Sequence, residues 1–174
     1  MKKYLFFFLA LFTGSAAFSQ ARQPLDIKYQ GEVLAGYSIG VGTFDVGRLN
    51  VHMINGAKFG DYFSAGLGLG LDYYCTNGLS SLALPIYANV KGYMPFYTDR
   101  GGLFLSLDGG YSAGLSDELS GMGGFLITPA LGAYFNVAGD KSIRLSLGYN
   151  HQAFSEDGIS ANFDSIALKV GFAF

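Results

Sequence analysis

The chain has 174 residues, half of them hydrophobic and 16% aromatic, with a formal net charge of −2. That is one domain's worth of chain, and without a basic stripe it argues against a nucleic-acid partner. The single cysteine, Cys75, excludes an internal disulfide framework, and 26 glycines with neither a Gly-X-Y period nor a Pro and Ser excess fit neither collagen nor a flexible linker.

The first segment reads as a secretory signal peptide. Met1-Lys2-Lys3 is basic, Tyr4 to Phe12 is apolar, and Ala17-Phe18-Ser19 offers the small residues a signal peptidase reads. The apolar run is shorter than the roughly 20 residues of a spanning helix. Residues 1–19 are therefore expected to be removed, leaving 20–174 as one barrel domain. In that remainder the hydrophobicity is dispersed by alternation, which is a strand signal.

Eight strands are predicted. The first covers about Glu32–Val41, with Val33, Ala35, Tyr37 and Ile39 on one face, and Gly42–Val46 follows as a loop. The second, about Arg48–Phe59, sets Leu49, Val51 and Met53 against Asn50, His52, Gly56 and Lys58, and Gly60-Asp61 is a tight turn. The third, Tyr62–Tyr74, is the clearest: Phe63, Ala65, Leu67, Leu69, Leu71 and Tyr73 oppose Ser64, Gly66, Gly68, Gly70 and Asp72. Gly66–Gly70 superficially resembles a nucleotide loop but lacks the spacing and the following helix. After a loop at Thr76–Ser81, the fourth strand covers about Leu82–Met94, and Pro95–Gly101 is a turn.

The fifth strand, Gly102–Ala113, sets Leu103, Leu105 and Leu107 against Ser106, Asp108 and Gly110; the loop Gly114–Gly124 is the longest. The sixth, Phe125–Val137, is the least regular because Pro129 interrupts it. Ala138–Lys141 is a turn, the seventh strand covers Ser142–Ala153, and Phe154–Ala161 is a loop. The eighth strand closes the sheet with Ile166, Leu168, Val170, Phe172 and Phe174 alternating with Ala167, Lys169, Gly171 and Ala173.

Short turns after even strands and longer loops after odd ones are the habit of outer-membrane barrels, and an even strand count puts both termini on the periplasmic side. The competing folds, a soluble sandwich or a closed lipid-binding barrel, call for more charge on the polar face and fewer glycines.

In lipid the apolar faces must point outward. The inward charged set is then Glu32, Lys58, Asp72, Lys91, Asp108, Arg144 and Lys169, accompanied by Asn50, His52, Tyr87, Asn89, Tyr93, Tyr134, Asn150 and Gln152. An eight-stranded barrel is filled by its own side chains, so these charges have to pair. Neighbouring strands suggest Glu32 with Lys58 or Lys169, and Lys91 with Asp108. The rival reading of the same residues is a selective pore lining. Tyr87 and Tyr93 are suited to lie over the inward glycines Gly66, Gly68 and Gly70, although simple steric fit explains those glycines as well. Phe59, Phe63, Phe96, Tyr97, Phe135, Phe172 and Phe174 would form a lower aromatic girdle, and Tyr73, Tyr111, Phe125, Tyr149 and Phe154 an upper one.

The stretches Val51–Phe59, Tyr62–Tyr74 and Leu84–Met94, with the terminal Phe174, carry a family likeness. The chain resembles the small eight-stranded outer-membrane barrels of the OmpX or OmpA-membrane-domain type, and in particular the barrel domain common in Bacteroidota. The resemblance implies an all-β, up-and-down transmembrane barrel whose partners are outer-membrane lipids and lipopolysaccharide. It also implies that Phe172 and Phe174 serve as the signal read by the barrel assembly machinery. It implies no cofactor, and it leaves activity and oligomeric state open, since function resides in sites rather than in folds.

Three functions are compared. The first is a non-enzymatic integral membrane protein with a structural or surface role, presenting short loops with Asp117, Glu118, Glu156 and Asp157 as outside acids. The second is a lipid-modifying acyltransferase or deacylase; the only histidines are His52, facing the lumen beside Asn50, and His151, near Ser155 and Glu156, and catalysis needs nucleophile and base within hydrogen-bond reach. The third is a conduit for small solutes or hydrophobic ligands. Two separated histidines and one cysteine do not suggest a metal site.

Overall fold

The computed structural model describes residues 26–41, 46–76, 79–97, 100–116, 123–156 and 159–174; the expected signal peptide, and Asp117, Glu118 and Asp157, lie outside the described residues. Eight strands follow one another: β1 Ile27–Gly40, β2 Gly47–Phe59, β3 Phe63–Thr76, β4 Leu79–Pro95, β5 Gly101–Gly114, β6 Gly123–Ala138, β7 Lys141–Glu156 and β8 Ile159–Ala173. Each pairs antiparallel with the next, and β1 closes on β8 from Glu32↔Ala173 to Gly40↔Ser165. Closure leaves no free sheet edge, which is the condition for crossing hydrocarbon with strands.

The alternation in sequence becomes alternation across the wall. Leu67 on β3 is 70% exposed, while Glu32 on β1 is 1% exposed. Soluble proteins reverse this, so the burial pattern is that of a transmembrane barrel of the outer-membrane type: apolar outside, ionised groups inside. Exposed rings mark both ends. Phe63, Phe96, Tyr97, Phe135, Phe172 and Phe174 lie at the turn end, and Tyr73, Tyr111, Phe125 and Tyr149 toward the loop end. The side chain of Phe154 lies outside the described residues.

The tight turns use glycine where the backbone is left-handed: Gly60 has φ 60° and Gly139 φ 56°. Two expected loops turn out to be mostly strand. β3 and β4 run on to Thr76↔Leu79, and β7 and β8 to Glu156↔Ile159. Those hairpins stand above the girdle, where polar residues suit both faces and periodicity no longer marks a strand. β1 likewise starts five residues before Glu32, at Ile27.

Proline interrupts the wall twice. The β6–β7 ladder passes from Ile127↔His151 to Ala130↔Gly148, although Pro129 remains paired with Leu107 on β5. The β3–β4 ladder likewise passes from Leu69↔Ile86 to Asp72↔Ala83 around Pro85. Proline has no N–H to donate, so each gap is the rung that its nitrogen denies the neighbour. Inward glycines admit large groups from adjacent strands. A Cβ on Gly68 would clash with the Tyr87 ring, and one on Gly70 with the His52 ring. Tyr87 therefore covers a glycine as expected, but His52, rather than Tyr93, covers the next.

Candidate functional site

The lumen is packed in three layers. Nearest the turn end, Glu32 of β1 sits between two cations: its Oε2 accepts from Lys91 Nζ at 2.7 Å and from Arg144 Nη1 at 2.6 Å. Lys91 also donates to Asn89 Oδ1 at 2.8 Å, and Asn89 Nδ2 donates to Asp108 at 2.5 Å. With its amide oxygen turned to the guanidinium, Gln30 accepts from Arg144 Nη2 at 2.9 Å. Arg144 stacks over Tyr93 at 5.3 Å, and Tyr93 meets Tyr134 edge-on at 5.6 Å. Phe104 completes this aromatic group.

Both expected pairings fail, for one reason. They join adjacent strands, whereas the lumen is narrow enough for side chains of non-adjacent strands to meet. In register Glu32 faces Ile54 on β2 and Ala173 on β8. Lys58 and Lys169 are each four residues away from those partners, roughly 13 Å along a strand. Lys91 on β4 reaches Glu32 across the lumen, and Arg144 on β7 reaches it from the strand beyond β8. Lys58 instead lies at the mouth, its side chain 33% exposed, 3.6 Å from Asp61. Its ammonium also lies 5.6 Å from the centre of the Tyr93 ring, at the edge of the lower layer. Asp108 takes Asn89, its register partner, while Lys91 is opposite Ser106.

The middle layer is apolar and aromatic: Leu34, Ile54, Tyr87 and Leu126 cluster together. Beside them is a cavity of about 20 Å³, lined by Lys169, Lys91, Glu32 and Asp108 among others, which is room for about one water molecule. Lys169 Nζ lies 3.5 Å from His52 Nδ1. That nitrogen also accepts from the Tyr87 hydroxyl at 2.9 Å, and Nε2 donates to Asp72 at 2.9 Å. The two hydroxyl and carboxylate partners assign the proton to Nε2.

The layer nearest the loop end is centred on Asp72. Its Oδ1 accepts from Asn50 at 2.6 Å, and Oδ2 lies 3.4 Å from Arg48 Nη1. Arg48 also donates to the Tyr74 hydroxyl at 3.0 Å, to Gln152 Oε1 and to Ser165 Oγ at 3.2 Å, and stacks over the Tyr74 ring at 5.3 Å. Ser38 bonds Asn50 at 2.7 Å. Arg48 is absent from the charged set predicted for the lumen. Its parity with Asn50 and His52 was the available signal, obscured because it opens its strand.

Of the charged residues predicted inside, the structure brings Glu32, Lys91 and Arg144 together and sets Asp108 and Lys169 around the central cavity. Asp72 lies above them with Arg48. The second histidine lies elsewhere. His151 points outward on β7, and its Nδ1 is 2.6 Å from Oδ1 of Asp164 on β8, its register partner. The side chains of Ser155 and Glu156, its neighbours along the chain, lie outside the described residues; the cross-strand neighbour supplies a carboxylate. Phe172 and Phe174 stack with centroids 6.3 Å apart, and the backbone of Phe174 exchanges hydrogen bonds with Gly31 at 2.7 and 2.9 Å, tying the terminus to β1.

No protein-family model matches the chain, and no curated protein matches its sequence. Among solved structures it is similar to Neisserial surface protein A, with a TM-score of 0.68 and 10% identity over 84% of this chain and 97% of that one. It is also similar to the outer-membrane enzyme PagL, with a TM-score of 0.54 and 12% identity over 82% of this chain and 97% of that one. What they share with this chain is the fold: a small eight-stranded outer-membrane β-barrel.

Proposed function

We propose that the protein is an integral outer-membrane barrel with a structural or surface-interacting role and a lumen that conducts nothing. The observation that carries this reading is Glu32, fully buried and held between Lys91 and Arg144. A selective pore wants charges that exchange partners with a passing ion; these are buried and committed to each other, and the cavity beside them has room for about one water molecule. The chain would enter from the periplasm, keep both termini there and be recognised by the assembly machinery through Phe172 and Phe174. The finer likeness to the Bacteroidota barrel domain belongs to the same proposal and rests on Val51–Phe59, Tyr62–Tyr74 and Leu84–Met94. Protein refolded into a planar bilayer is expected to give no steady ohmic steps; reproducible unitary conductance would reject the sealed lumen.

A second reading, a lipid-modifying enzyme, is favoured by the outward His151–Asp164 pair, because a carboxylate that orients an imidazole is how a general base is held. If it holds, His151→Ala is expected to change the lipid A species seen by mass spectrometry in cells producing the protein. An unchanged profile removes this reading.

A further inference from the structure

The outward face has a polar interruption. Tyr149, His151 and Asp164 all point away from the lumen, beyond the middle of the strands toward the loop end. His151 bonds Asp164, and the Tyr149 hydroxyl bonds the same carboxylate. Among strand residues whose side chains are described, no other acidic or imidazole group lies on this face. The pair lies just beyond Tyr149 of the upper girdle, at the depth where lipid headgroups meet the wall.

Next to this cluster lies a shallow hollow, open on its outer side, walled by Leu105, Leu131, Leu147 and Ile166 and reaching Pro129 and Tyr149. Its origin is local. Pro129 stands in an outward row with Ile127 and Leu131 but is more compact than either, and the rungs from Thr128 and Pro129 to Tyr149 and Asn150 are missing. Tyr149 belongs to both features, lining the hollow with its ring and bonding Asp164 with its hydroxyl.

We propose that the hollow and the Tyr149–His151–Asp164 cluster form one site for an acylated membrane lipid, with a chain in the hollow and a head that donates N–H or O–H bonds to the cluster. The choice of head follows from the hydrogen bonding. In its neutral form an imidazole that donates from Nδ1 to Asp164 keeps a lone pair at Nε2, and a carboxylate is acceptor-only. Two acceptors side by side match an ammonium or a set of sugar hydroxyls. They do not match a quaternary choline, which has nothing to donate. The site rests on the reading that this face meets lipid.

The test uses the refolded full chain in detergent micelles and native mass spectrometry. The lipids are phosphatidylethanolamine and phosphatidylcholine with the same acyl chains, and lipid A. Wild-type protein is expected to retain phosphatidylethanolamine, lipid A or both several-fold above phosphatidylcholine. The first result identifies an ammonium head, the second sugar hydroxyls. Pro129→Leu, which fills the hollow and restores a backbone donor, and Asp164→Asn are each expected to abolish the preference. If Pro129→Leu does not reach the heat-modifiable folded form, Leu147→Phe fills the hollow instead. Equal retention of all three lipids by wild type, or a preference that survives the hollow-filling variant or Asp164→Asn, overturns the site. Failure of the membrane reading itself looks different: the wild-type protein would stay monodisperse in buffer without detergent.

Discussion

Glu32→Ala is expected to be the most damaging single change in the lumen, lowering stability by about 3–5 kcal/mol, the range for leaving buried charges without their partner. The cause is specific. Lys91 and Arg144 both end on one oxygen of Glu32, so its removal leaves a buried ammonium and a buried guanidinium facing each other. Asn89 and Gln30 supply only neutral acceptors. The chain has no tryptophan, so urea unfolding in lipid vesicles is best followed by circular dichroism and by the gel mobility difference between folded and heated protein. The triple change Glu32→Leu, Lys91→Met, Arg144→Met is expected to recover most of the loss, because an apolar group of similar volume removes the desolvation cost along with the pairing. Lys58→Ala at the mouth is expected to change stability by less than about 1 kcal/mol, as for an exposed ion pair. A Glu32→Ala protein as stable as wild type would mean the lower layer is open to water, and the sealed-lumen reading would fail with it.

How far the sequence is legible follows from which physical rule governs each feature. The faces of β3 and β8 are readable directly, since a period of two is all that separates Leu67 from Gly68 or Leu168 from Lys169. Pro129 is readable as an irregularity, because a missing N–H is a property of the residue itself. The partners inside are not readable. Glu32 finds Lys91 and Arg144 through the stagger of a closed sheet, which emerges only once all eight registers are set together. Arg48 and the extended β7–β8 hairpin are obscured for another reason. Near the water both strand faces are polar, and the contrast that reveals parity disappears. The His151–Asp164 pair is the same problem in its functional form: the two are thirteen positions apart in sequence, and only the hairpin register makes them neighbours.

The sign of one surface substitution separates this fold from a soluble barrel. Leu69 lies midway along β3, 52% exposed, with Met53 and Ile86 as its register partners. On a water-facing surface Leu69→Arg would be close to neutral and would help solubility. In a bilayer the guanidinium would sit near the midplane, where arginine on the lipid face of a barrel costs about 2–4 kcal/mol. The expected result is a loss of that size in urea unfolding from vesicles, shrinking toward zero when arginine replaces an outward residue at the interface, as in Tyr73→Arg. The gradient with depth is the informative part, because a packing defect from losing leucine does not depend on the distance to the headgroups. A flat profile, with both substitutions costing the same, would show that the outward leucines face something other than lipid.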